Sequence, residues 1–111
     1  MKKIVDKRLK TENVQAIIET AWNVGKLRID SNLHSIQRLE ERAIETTDIR
    51  DVILYGEREE NEDRWQERRG HWTYALRNRN VDGRDIRIIF DIEAFPDVVV
   101  VTVMHVCGQR F

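Results

Sequence analysis

His34, Arg38 and Arg42 recur at i, i+4 and i+8. On a helix that spacing places all three in one stripe. By helical-wheel angle the stripe lies nearly opposite Leu33, Ile36, Leu39 and Ala43, so it is either a solvated polar face or one wall of a cleft. A second set, Arg77, Arg79, Asp85, Arg87 and His105, falls in the C-terminal half. Arginine outnumbers lysine by 14 to 5. That balance suits bidentate phosphate contacts, which the planar guanidinium makes better than an ammonium. The same side chains also make ordinary surface ion pairs.

Other chemistries lack their motifs. The histidines have no second ligand at helical or turn spacing, and the single cysteine, Cys107, has no partner cysteine. No metal site and no cofactor is therefore expected. There is no glycine-rich phosphate loop and no nucleophile elbow. His71, at the start of a strand, reads as a surface residue.

Elements must position these groups, and the pattern of apolar residues supplies them. Val14, Ile17, Ile18, Ala21 and Trp22 have helical spacing, with Thr11 as N-cap and Gly25 as stop. Leu27 and Ile29 form a short alternating piece. A second helix is expected through residues 33–44, entered from Ser31 or Asn32. A third, 49–56, would be capped by Thr46, Thr47 or Asp48 and ended by Gly56. From Trp72 the apolar period changes to two, and "NVDG" at 80–83 marks a turn. A second turn is expected at Phe95-Pro96-Asp97. The strand after it, Val98 to Val106, is apolar on both faces, which suggests a central position. The fold class is α+β: N-terminal helices packed on one antiparallel sheet of three or four strands. Residues 1–13 read as a basic arm and 14–111 as a single domain.

Register follows from the same alternation. Pairing Ile92 with Val98 brings Phe90 to Val100, Ile88 to Thr102 and Ile86 to Met104 on one face. An odd-numbered loop keeps Trp72, Tyr74 and Leu76 on that face. It sets Arg77 opposite Arg87, and Arg79 opposite Asp85. The other face would then gather Arg77, Arg79, Asp85, Arg87 and His105, with His105 opposite Asp85. Cross-strand ion pairing on a solvated face is the competing reading.

Length and charge bound the function. A chain of 111 residues with 41% hydrophobic and 35% charged residues is globular. Its net charge of −1 argues against a generic polyanion binder. With one cysteine, no apolar leader and no span long enough for a bilayer, it is expected in the cytoplasm. Residues 57–63, "EREENED", carry five acids and one base, and read as a mobile, exposed loop.

The string "HSIQRLEERAIETTDIRDVILYGE" resembles the start of the domain of unknown function 4258 family. The later strands, "WTYALRNRNVDGRDIRIIFDIE" and "VVVVTVMHV", fit its close. The most specific part is His34, Arg38, Arg42 and Gly56 at their spacing. That family is similar to the RelE/barnase-like small ribonucleases and toxins, and the order of elements resembles the MqsR type. The resemblance implies a metal-independent endoribonuclease, the toxin of a toxin–antitoxin pair, acting on RNA and partnered by a cognate antitoxin. A ribose 2′-OH would attack the adjacent phosphate. Carried over from the family motif, His34 would move the proton and Arg38 and Arg42 would stabilise developing charge; strand register adds His105 and Arg87 to those roles, and Arg77 and Arg79 as substrate-binding residues. The alternative is a non-catalytic RelE-like binding module for a protein partner or a structured RNA.

Overall fold

The computed structural model describes residue 9 and residues 11–29, 44–68, 70–79 and 85–106. The expected helix through 33–44, with His34, Arg38 and Arg42, and the "NVDG" turn lie outside the described residues, save Ile44. Helix α1, Thr11–Val24, ends as expected at Gly25, whose φ of 76° is left-handed. Gly25 N–H donates to Trp22 O and Lys26 N–H to Ala21 O, closing the last turn. Strand β1, Leu27–Ile29, follows directly.

Helix α2, Thr46–Tyr55, starts slightly earlier than expected. Asp48 caps it from inside the first turn by accepting the Glu45 N–H at 2.8 Å. Gly56 ends it, in extended rather than left-handed backbone (φ −74°, ψ 169°). Four strands of the C-terminal half complete the sheet with β2: β2 Glu57–Arg58, β3 Arg64–Gln66, β4 His71–Arg79, β5 Asp85–Ala94 and β6 Asp97–His105.

The strand order is β1-β6-β5-β4-β2, with β3 also paired to β4. The sheet is mixed rather than wholly antiparallel, because β1 runs parallel to β6, with Leu27 opposite Val98 and Ile29 opposite Val100. This gives β6, apolar on both faces, a neighbour on each side. Helices α1 and α2 cover the face of Tyr74, Leu76, Ile86, Ile88 and Phe90, as the alternation required. Each of these side chains is at most 2% exposed. Burial of one such side chain contributes roughly 1.5–3 kcal/mol, so this shared face holds the helices down. Leu9 packs at the edge of that core, and its N–H donates to the Tyr74 hydroxyl at 2.9 Å.

The β4–β5 register is the expected one, with Arg77 opposite Arg87 and Arg79 opposite Asp85. The β5–β6 register agrees only from Ile92/Val98 to Phe90/Val100. A bulge then shifts it, so that Ile89 faces Thr102, Ile88 faces Val103, Arg87 faces Met104 and Ile86 faces His105. Strict alternation would have buried the Thr102 hydroxyl under the helices. The extra residue at Val101 sends Val103 there instead, at 8% exposure.

Candidate functional site

The face of the sheet opposite the helices carries Arg77, Arg79, Asp85 and Arg87, as the β4–β5 alternation predicted. His105 does not join them. The bulge pairs it with Ile86, and Met104 takes the position beside Arg87, its sulfur 3.9 Å from the guanidinium. The expectation that His105 stands opposite Asp85 is therefore corrected: the register slips by one residue, and a one-residue slip exchanges faces.

The residue that sequence reasoning missed is Glu59. The acidic segment 57–63 is not an exposed loop throughout. It forms β2 along the edge of β4, then a 3₁₀ turn at Glu60–Glu62, and Asp63 is only 5% exposed. Glu59, Glu62 and Asp63 each pair with an arginine. Glu59 accepts from Arg87 Nε at 2.5 Å and Nη2 at 3.1 Å, and from Arg77 Nη1 at 3.2 Å. Arg77 also makes a bidentate pair with Asp85 at 2.7 and 2.6 Å, and Arg79 reaches the same carboxylate at 3.3 and 3.1 Å.

These contacts fix the charge states. The Arg87 guanidinium above all, and then Arg77, hold the Glu59 carboxyl below the usual carboxylate range, against the opposing effect of burial. Arg77 and then Arg79 do the same for Asp85. Both Arg77 and Arg87 are pushed up in return, Arg77 chiefly by Asp85 and Arg87 chiefly by Glu59. Glu59, Asp85, Arg77 and Arg87 are all ionised at neutral pH. Three guanidiniums share two carboxylates, which leaves one positive charge in excess. Glu57, exposed at the rim opposite Arg77, brings the wider patch close to neutrality.

An open cleft of about 540 Å³ runs beside this network, lined by Tyr55, Glu57, Arg58, Glu59, Arg77, Asn78 and Arg79. Its inner wall is buried and tied by ion pairs. Arg58 and Asp63 form a bidentate pair at 3.0 and 2.5 Å, with side chains 4% and 0% exposed. Asp63 also accepts the Ala75 N–H at 3.1 Å, Arg58 donates to Ala75 O, and the guanidinium lies 5.5 Å from the Tyr74 ring centre. Its outer wall is exposed: the Arg79 side chain is 57% exposed and Tyr55 is 69% exposed.

His71 is not the surface residue that its position suggested. Its Nε2 lies 2.5 Å from Asp91 Oδ1, with side chains 13% and 0% exposed. Six residues of β4 separate it from Arg77, roughly 20 Å at strand rise, so the two ends of this face are separate sites. Among the described residues no group of three or more His, Cys, Asp or Glu side chains could hold a metal ion. No helix among them is long and apolar enough to cross a membrane.

Fold and site define a small α+β protein whose sheet presents an arginine–carboxylate network beside an open cleft. Residues 32–105, more than half of the chain, match the family described as domain of unknown function (DUF4258), and the chain belongs to that family. No curated protein and no solved structure matches it. The matched span includes His34, Arg38, Arg42, Arg77, Arg79, Arg87 and His105, and the family's description assigns none of them a role.

Proposed function

We propose that this chain is an RNA-binding module that holds one or two backbone phosphates at the arginine-bearing edge of its sheet. The observation that carries the reading is the sharing of two carboxylates by Arg77, Arg79 and Arg87, with Arg79 open to solvent at the mouth of the cleft. A phosphate presents the same bidentate geometry as a carboxylate, so it can pair with the exposed Arg79 at the edge of this network. The resemblance to the RelE/barnase-like proteins points to RNA as the source of that phosphate.

Cleavage is the second reading, favoured by Glu59. A phosphate that draws Arg77 and Arg87 away would release this carboxylate beside the ribose and raise its basicity, which is what general-base attack by a 2′-OH requires.

The test is anisotropy of a short labelled RNA, with each tube then run on a denaturing gel in the presence of chelator. Arg79→Ala should weaken binding about tenfold, the order expected for one charge-assisted contact, with only a small fall in melting temperature, because Arg79 is exposed and Arg77 keeps its bidentate pair with Asp85. Intact RNA supports the binding module. Fragments that disappear with Glu59→Gln would establish the second reading, and absence of binding by the wild-type chain would overturn both.

A further inference from the structure

We infer that the cleft takes single-stranded RNA, with an unpaired base stacked on Tyr55; this rests on the RNA-binding reading above. Tyr55 ends helix α2 with 69% of its surface exposed, although a tyrosine ring ordinarily buries its apolar body. A single exposed aromatic is unremarkable by itself. This one lines the same cleft as Arg77 and Arg79, so an aromatic plane and a phosphate-binding edge face one open cleft.

That space, about 540 Å³, lies in the range of small-ligand sites. Asn78, which strand alternation turns to the opposite face from its neighbours Arg77 and Arg79 at this edge of β4, also lines it. Its carboxamide can both donate and accept, which suits the edge of a base. The lining of the cleft therefore combines an aromatic plane, an amide and guanidiniums, which match base face, base edge and phosphate. Those groups are offered together only by a nucleotide that is free to leave its stack. In a duplex the base faces are covered by their neighbours and the edges are paired. A phosphate bound alone would use Arg79 and leave Tyr55 and Asn78 idle.

The local charge leads to the same ligand. Duplex recognition without base contacts relies on many phosphates at once, and this patch has one guanidinium in excess. Stacking supplies affinity that does not depend on net charge.

The experiment compares a short unstructured RNA with the same strand annealed to its complement, using the intact chain and the variants Tyr55→Ala, Tyr55→Phe and Arg79→Ala. Single-stranded RNA should bind more tightly than the duplex. Tyr55→Ala should weaken that binding roughly five- to a hundred-fold, whereas Tyr55→Phe, which keeps the ring, should stay near wild type. Melting temperature should be unchanged in the two Tyr55 variants, because the ring is exposed. Equal or tighter duplex binding would overturn the inference. So would a Tyr55→Ala variant that binds normally while Arg79→Ala is impaired, a result that leaves the phosphate reading intact. Failure of the wild-type chain to bind either form would overturn the reading and the inference together.

Discussion

The Arg58–Asp63 pair shows what a charge run hides. In the sequence both residues belong to an acidic stretch that reads as solvated, yet the side chains are 4% and 0% exposed. Asp63 satisfies Arg58 and the Ala75 N–H together, tying the edge segment to β4. Asp63→Ala would leave a buried guanidinium without its carboxylate, and should cost about 3–5 kcal/mol in urea unfolding. A loss under 1 kcal/mol would show the pair to be dispensable. Glu59 and Asp85 make a different prediction. Their folded carboxyls titrate below the usual range, because Arg87 and Arg77 respectively favour the charged forms. The unfolded chain therefore binds more protons in acid than the folded one. The stability they contribute is full above the unfolded carboxyl values, near pH 4, and is lost as pH falls through the lower folded values. Melting temperature should fall over that acidic window, and Glu59→Gln with Asp85→Asn should flatten the fall. Asp85 was legible because strand register named its partners. Glu59 was not, since its partners lie on strands 18 and 28 residues away.

Strand alternation explains which elements could be read in advance. The period of two gave β4 and β5 with their pairing, and it placed the helices on the correct face. It failed for His105, where the bulge spared Thr102 from burial and exchanged the faces beyond it. A bulge is invisible to periodicity until a polar residue falls on the core face, and Thr102 was that signal. Leu27 and Ile29 alternate, but three residues cannot state a direction, so the parallel pairing of β1 was not legible. Gly56 was read as a helix stop, and its structural reason is closer packing. A Cβ there would collide with the Val52 carbonyl oxygen and lie 3.1 Å from that of Arg77. The chain must pass this near β4 for β2 to pair and for Glu59 to reach Arg77 and Arg87. Gly56→Ala should therefore destabilise the fold by about 1–3 kcal/mol, the usual cost of overpacking. It should also weaken RNA binding more than a stability loss alone explains. The check is unfolding together with binding measured well below the melting temperature; a variant as stable as wild type would show that the backbone yields there at no cost.

At the scale of the molecule, charge decides how an RNA can be held. The formal net charge is −1, so the chain's overall charge does not draw a polyanion to it. Within the described residues the arginines that face the cleft are matched almost one for one by carboxylates. The attraction is therefore local, felt once a phosphate is within contact distance of Arg79 and Arg77. Counterion release follows the number of phosphates neutralised, and for a single strand the logarithm of affinity falls by about 0.7 per phosphate for each unit in the logarithm of salt concentration. One or two contacts give a slope of about −0.7 to −1.4. Titrations of the same RNA at several salt concentrations should show that shallow dependence, and Arg79→Ala should reduce it by about one contact, roughly 0.7. Tyr55→Ala should lower affinity equally at every salt concentration and leave the slope unchanged, because stacking releases no counterions. A slope steeper than about −3 would require four or more neutralised phosphates. The network around Glu59 and Asp85 has no such surplus of positive charge, so that result would move the RNA to another surface of the protein.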